Sequence, residues 1–385
     1  MEISFLTYLG AVLTAAVLTF AATPLVKKLA VKIGAIDIPK DNRRMHHVPI
    51  PLLGGLAIFI GFVVSILIFV ETDTQVEGML LGAVIIVALG IVDDMDSVGA
   101  IPKLFVQIAA ASIAVLHGTV VEYISNPFSS GSYIDLGVMS VPLTILWIVA
   151  ITNAVNLIDG LDGLAAGVSA ISSVSLVVIA FIVSEPSVAL IMIALVGTCL
   201  GFLPFNVYPA KIFMGDTGST FLGFILGCMS IQGLFKMYAV ISFAIPFIII
   251  GLPIFDTGFA FLRRIFKGKN PLIADRGHVH HKLIDMGFSQ KQSVALLYMV
   301  TCALGLFAML LTTKSPVRWI FALAVLVLVF VVVSMISKKH HDSAANHCSA
   351  SGIQNGKSPE LPEEPAPGAG DNALPANDEQ SRETD

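Results

Sequence analysis

Polar side chains able to do chemistry collect in four short blocks of this chain. Asp93-Asp94 closes one apolar run. Asn153, Asn156, Asp159 and Asp162 recur every third residue across the end of another, with Gly160 and Gly163 between them. Phe213-Met214-Gly215-Asp216-Thr217-Gly218-Ser219 opens a third. His278-Val279-His280-His281 lies in the most basic loop, close to Arg263-Arg264, Arg276 and Lys282. Ionisable groups are costly inside lipid, so their gathering at the ends of greasy segments reads as a site rather than as fold elements.

Each block suggests its own chemistry. Adjacent carboxylates repel unless a cation or a proton intervenes. Lys103, nine residues beyond Asp94, can hold a phosphate as a point charge. Taken alone, Asp93-Asp94-Met95-Asp96 also fits a solvated acidic loop. In the second block, i and i+3 neighbours on a helix touch, and the interleaved glycines suit close approach of backbone to a polar ligand. Before the third block come Asn206, Tyr208 and Lys211. Asp216 is placed equally well as a helix N-cap and as a hard-oxygen ligand for Mg2+. Gly215 and Gly218 would let a substrate come near. The fourth block makes an anion site, since Arg and His both donate hydrogen bonds to phosphate. Its histidine spacing does not match common zinc sites, and no cysteine is near. Asp256, about two helical turns before Arg263, is placed to orient that loop. The segment from Asp37 to Gly55 is basic and turn-rich, and reads as a surface for lipid headgroups. Carboxylates for a metal, with Lys, Arg and His for phosphate charge, amount to equipment for phosphoryl transfer.

The elements that must carry these blocks are membrane helices. Of 385 residues 56% are hydrophobic and 13% charged, with a mean hydropathy of +0.87, whereas a soluble domain is roughly 25% charged. Apolar runs long enough to span predict helices over 4–26, 51–70, 77–92, 102–117, 139–157, 164–183, 187–205, 218–235, 238–262, 293–312 and 317–337. The fold class is therefore all-α, a polytopic membrane protein of about eleven transmembrane helices. Residues 1–340 form its transmembrane catalytic domain. With the N-terminus outside, 19 of the 22 basic residues fall on the inner side, as the positive-inside rule requires. The chemical blocks then face the cytoplasm and the C-terminus lies inside. Residues 118–138 read as a small extracytoplasmic hairpin turning at Asn126-Pro127. The stretch 341–385, rich in Pro, Glu, Ala, Asn and Ser, reads as a disordered cytoplasmic tail. The first span reads as retained rather than as a cleaved signal. Three of the four cysteines (Cys199, Cys228, Cys302; the fourth is Cys348) fall in apolar runs, where a thiol behaves as a small core residue. No basic stripe with interleaved aromatics is present, which argues against nucleic acid as a partner.

Together the four blocks, in this order and spacing, resemble the polyprenyl-phosphate N-acetylhexosamine-1-phosphate transferases over roughly residues 1–337. The resemblance implies transfer of a sugar-1-phosphate from a UDP-sugar to undecaprenyl phosphate at the cell membrane, releasing UMP, with Mg2+ or alternatively Mn2+. Gly277-His278-Val279-His280-His281-Lys282-Leu283, with the Asp37–Gly55 segment, is similar to the branch that uses UDP-GlcNAc, the undecaprenyl-phosphate GlcNAc-1-phosphate transferases that initiate teichoic acid or O-antigen synthesis. It implies Asp216 as the main metal ligand with Asn156 as the second, and Asp93, supported by Asp94 and Lys103, as the group that deprotonates or orients the lipid phosphate. Asp159 and Asp162 would face the nucleotide-sugar, and Asn153 and Asn206 would join the substrate-binding residues. Arg263, His278, His280 and His281 would bind its phosphates and sugar. A homodimer is compatible with the sequence, and both single and double displacement remain open, the former preferred.

Other classes fit less well. An ion-coupled transporter would put ionisable groups near the midplane and use repeated halves, but Asp256 is the one acidic residue well inside a predicted span and no repeat is visible. The Asp162-Gly163-Leu164-Ala165-Ala166 segment lacks the arginine of the CDP-alcohol phosphatidyltransferase block.

Overall fold

The computed structural model describes residues 4–39, 48–125, 133–232, 244–268, 278–313 and 316–354, with side chains described as far as residue 336. It is an all-α, polytopic membrane protein. Its helices are α1 (Phe5–Ile33), α2 (Gly54–Phe69), α3 (Thr74–Met95), α4 (Ala100–Leu116), α5 (Ser140–Ile158), α6 (Leu164–Ile182), α7 (Pro186–Asn206), α8 (Gly215–Ser230), α9 (Ala244–Ile249), α10 (Gly251–Phe266), α11 (Val279–Asp285), α12 (Gln290–Thr312) and α13 (Arg318–Gln354). Among the described residues, seven stretches are long and apolar enough to cross a membrane alone: residues 5–33, 74–95, 137–158, 164–182, 186–206, 290–312 and 318–336; α2 and α4 are apolar but shorter. Helices suit this setting because each satisfies its own backbone groups where lipid offers no partner.

Two short antiparallel ribbons accompany the helices among the described residues. β1 (Ile36–Asp37) pairs with β2 (Ile50–Pro51), and β3 (Tyr123–Ser125) pairs with β4 (Tyr133–Asp135). The second ribbon is the expected hairpin, whose turn lies outside the described residues. The first was not anticipated, and it builds part of the site. Phe213 N donates to Pro51 O, Gly54 N to Phe213 O and Gly55 N to Met214 O, each at 2.9 Å. This backbone lacing ties the start of α8 to the entry of α2.

α8 is the centre of the bundle. Every residue from Thr217 to Ser230 is buried, and the helix packs against α2, α3 and α5. A helix apolar or small on all sides is buried on all sides. It crosses α2 so closely that a Cβ on Gly55 would lie 2.0 Å from Gly218 N, so only glycines fit at this crossing. Gly218 thus serves helix packing and not the approach of a substrate.

Three expectations change. The apolar run 238–262 is not one helix: it breaks at Ile250 between α9 and α10, where Pro253 lacks the N–H that would continue the ladder, and residues 238–243 lie outside the described residues. α3 runs on to Met95, so Asp93 and Asp94 belong to the helix and not to a loop after it. The segment expected to be a disordered tail from 341 begins as helix, because α13 continues to Gln354; extending an existing helix is easier than starting one. Residues 1–340 and 341–385 form separate units, and of the second only the helical stretch to 354 is described.

Candidate active site

The ends of α3, α5 and α7 and the start of α8 meet around a cavity of about 430 Å3. Six carboxylates line it: Asp37, Asp93, Asp94, Asp159, Asp162 and Asp216, joined by Asn156, Asn206, Phe213 and His281. Lys103, at the start of α4, reaches in from one side. Its Nζ pairs with Asp93 Oδ2 and, at 2.8 Å, with Asp216 Oδ2. One cation thus bridges two like charges that would otherwise repel. Asp93 Oδ1 also accepts from Val98 N at 2.7 Å, which fixes the α3–α4 turn.

Asp94 does a different job from its neighbour. Its Oδ1 accepts from Asp216 N at 2.8 Å, and its Oδ2 from Thr217 N at 3.2 Å and Thr217 Oγ1 at 2.6 Å. It satisfies the first free N–H groups of α8, the service an N-cap residue normally renders from within its own helix. Asp216 is therefore not the cap of α8. It sits inside the first turn with its backbone held by Asp94 and its carboxylate turned to Lys103.

Asn156, on the last turn of α5, accepts from Ser219 Oγ at 2.7 Å and presents Nδ2 to Asp216 Oδ2 at 3.4 Å. Its N–H2, rather than its oxygen, faces the carboxylate; a half-turn of the amide would exchange them. Asn153, one turn earlier, is not among the lining residues. It donates to Gln107 Oε1 at 2.7 Å and to Val149 O at 2.8 Å, so it joins α5 to α4 beneath Lys103. That placement differs from the substrate-binding role expected of it. Asn206 faces the cavity, but its amide is occupied by Gly163 N and Ile212 O, both at 3.1 Å. Asp162 Oδ2 accepts from Ala210 N at 2.8 Å. Tyr298 on α12 donates to Gly163 O. Three elements thereby hold the α5–α6 loop in place, and Asp159 projects from it. Burial, then the charges of Asp216, Asp94 and Asp162, push the Asp159 carboxyl up to about 8.

The histidines close the other side. His281 lines the cavity. His280 is 3% exposed and packs on the α5–α6 loop so tightly that a Cβ on Gly160 would lie 2.3 Å from its Nε2. Burial, aided by the neighbouring His281, lowers its pKa to about 4, leaving a neutral ring. His278 bonds through Nδ1 to Asp256 Oδ2 at 2.9 Å and stacks on His280 with centroids 5.7 Å apart. Neither His278 nor His280 lines the cavity, and Arg263, on the last turn of α10, does not either. Arg276 lies outside the described residues.

The sequence pattern of glycosyl transferase family 4 matches residues 76–234, the stretch that carries Asp93, Lys103, Asn156, Asp159, Asp162 and Asp216. A probable undecaprenyl-phosphate N-acetylglucosaminyl 1-phosphate transferase of Bacillus subtilis (strain 168) is 40% identical over 309 residues, 80% of this chain and 85% of that one. The chain belongs to glycosyl transferase family 4. The decaprenyl-phosphate N-acetylglucosaminephosphotransferase of Mycolicibacterium smegmatis is 33% identical over 354 residues, 84% of this chain and 87% of its own. An undecaprenyl-phosphate alpha-N-acetylglucosaminyl 1-phosphate transferase of Yersinia pestis is 26% identical over 289 residues, 74% and 78% of the two chains.

In this family 4 chain the cavity suits a hard cation. Among the described residues no three His, Cys, Asp or Glu side chains close around one metal position, so the site is not a complete protein cage. Mg2+ does not require one: it is commonly held by one or two carboxylates, with water and substrate phosphate filling the rest. Asp216 and Asp159, which face the cavity while Asp94 and Asp162 serve backbone N–H groups, give that donor set. They would also repel an anionic substrate unless positive charge entered with it. Sequence reasoning missed Asp37, because the basic residues that follow it suggested only a headgroup surface. It also missed Gln107 and Tyr298, whose partners lie 46 and 135 positions away; Thr217 and Ser219 belong to the third block, but their bonds to Asp94 and Asn156 were not foreseen.

Proposed function

We propose that this chain transfers N-acetylglucosamine-1-phosphate from UDP-GlcNAc to undecaprenyl phosphate, releasing UMP, as the first membrane step of a cell-wall glycopolymer pathway such as that of teichoic acid. The observation that carries the proposal is the cavity of six carboxylates with Lys103 bridging Asp93 and Asp216. The names of the relatives support it. In the reaction a phosphate oxygen of the lipid attacks the sugar-bearing phosphorus of the nucleotide-sugar. One P–O bond forms, the bond to UMP breaks, and the sugar is left on a lipid diphosphate.

Lys103 meets the incoming lipid phosphate and offsets its charge. Asp93, held by Lys103 and Val98 N, orients that phosphate and takes its proton when it arrives protonated. Asp94 keeps the first turn of α8, and so Asp216, in place. Asp159, whose carboxyl burial and the neighbouring carboxylates push up to about 8, faces the nucleotide-sugar from the α5–α6 loop. His281 approaches the same substrate from the opposite wall. Mg2+, or Mn2+ in its stead, held by Asp216 with Asn156, would neutralise the diphosphate and the departing UMP. An apolar cavity of about 450 Å3 between α5 and α10, walled by Leu146, Trp147, Ala150, Phe247 and Ile254, reaches Ala154, two residues short of Asn156. It offers the polyprenyl chain an apolar path toward the charged end. The basic distribution supports a cytoplasmic location for that end.

The test is direct. Purified full-length protein with UDP-GlcNAc, undecaprenyl phosphate and Mg2+ releases UMP, and Asp216→Ala does not. UMP no higher than in that variant would reject the assignment. In a panel of UDP-sugars, UDP-GlcNAc gives the highest kcat/KM; another N-acetylhexosamine ahead of it would move the substrate and leave the chemistry.

A further inference from the structure

Asp256 is a buried carboxylate, 5% exposed, on a helix that contributes nothing to the lining of the charged cavity. Both its oxygens point at the histidine segment. Oδ2 accepts from His278 Nδ1 at 2.9 Å and Oδ1 from Val279 N at 2.7 Å. Val279 is the first residue of α11, whose N-cap, His278, makes no side-chain capping bond. A carboxylate from α10 therefore takes the place of a cap for α11, as Asp94 does for α8. A charge at a helix start is favoured by the free N–H groups and the helix dipole.

From Asp256 the contacts run to the cavity without a gap. His278 stacks on His280 with planes 6° apart. His280 lies against His281 at 4.3 Å between centroids and against Gly160 of the α5–α6 loop. His281 lines the cavity. α11 is a single short helix of seven residues, too short to be stable by itself. Its direction must be set from outside, and among the described residues the bonds to Asp256 fix its start.

We propose that Asp256 is a positioning residue for the nucleotide-sugar: by holding His278 and the first N–H of α11, it aims His281 into the cavity and keeps His280 against the loop that carries Asp159. This rests on the reading of the cavity as a nucleotide-sugar site. It predicts a loss confined to one substrate. Asp256→Ala raises the KM for UDP-GlcNAc tenfold or more, while the KM for undecaprenyl phosphate stays within twofold. Asp256→Asn, which keeps an oxygen acceptor for Val279 N, recovers part of the loss. The double variant Asp256→Ala, His281→Ala loses less UDP-GlcNAc binding than the product of the two single losses, because part of the effect of Asp256 runs through His281. Equal effects on both substrates, or a double variant whose losses multiply, would overturn the proposal.

Histidine labelling separates this from failure of the assigned reaction. In detergent-solubilised full-length protein without substrate, diethyl pyrocarbonate modifies His278 and His281 faster in Asp256→Asn than in the native chain, read by mass spectrometry at each histidine. Unchanged labelling defeats the anchoring even if UMP is released. Faster labelling in a protein that releases no UMP leaves the anchoring intact and removes the nucleotide-sugar from it.

Discussion

Adjacent aspartates in this site have unlike tasks. Asp93 faces Lys103, whereas Asp94 spends both oxygens on the start of α8. Loss of a capping acceptor costs about 1–2 kcal/mol. Asp94→Ala should therefore lower the melting temperature in detergent by a few degrees as well as abolish turnover; an unchanged melting temperature would contradict the capping role. Asp159 carries the opposite sign. Its carboxyl in the folded protein titrates near 8 instead of near 4, chiefly through burial. The folded state then binds more protons than the unfolded one between those values, so stability falls as pH rises through that window and stays low above it. Asp159→Asn removes this penalty. Without substrate or metal, the variant should melt higher than the native protein at pH 8.5, with the difference disappearing toward pH 4. A difference that is constant across pH would mean that Asp159 ionises normally.

Placement of those residues depends on how closely the helices approach. Asp216 can face Lys103 only if α8 lies in the groove between α2 and α3, and the α2–α8 crossing leaves no room for a side chain. Overpacking of this kind costs about 1–3 kcal/mol. Gly55→Ala should reduce both the melting temperature and UMP release, while Gly258→Ala, whose added Cβ meets nothing within 4 Å, leaves the melting temperature unchanged. Equal melting curves for both variants would show that the crossing can relax. The existence of the helices was legible in the sequence because a lipid core demands long apolar runs. So were Asp93, Asn156, Asp159, Asp162 and Asp216, because a cluster of carboxylates at the ends of such runs is costly to keep unless it binds something. The break at Ile250 had a signal in Gly251 and Pro253, masked by an unbroken apolar run. Asn153 looked like part of the ligand row because i, i+3 spacing was followed one turn too far down α5; only the position of α4 shows that Gln107 claims it. Asp37 and the service rendered by Asp94 were not readable, since both depend on contacts between segments far apart in the chain.

For the whole molecule the question is which side of the membrane the charged cavity faces. The C-terminal ends of α3 and α5 and the N-terminal ends of α4 and α8 meet at it, so all four lie at one end of the bundle. Arg263 and Arg264 lie on the last turn of α10, Lys267 caps it and Lys282 sits on α11, the helix of the histidine wall. If the positive-inside rule governs this chain, that end is cytoplasmic and the β3–β4 ribbon is outside. In a background with Cys348 replaced, the remaining Cys199 and Cys228 are buried and Cys302 half-buried, so single introduced cysteines report cleanly. Glu122→Cys should react with a membrane-impermeant maleimide on intact cells, and Lys267→Cys only after permeabilisation. The reverse pattern would put the carboxylate cavity outside, where UDP-sugars are not made, and would leave the charge distribution without its usual cause. Reaction of both on intact cells would mean that the two positions share a side, and the alternation of spans between them would have to be redrawn.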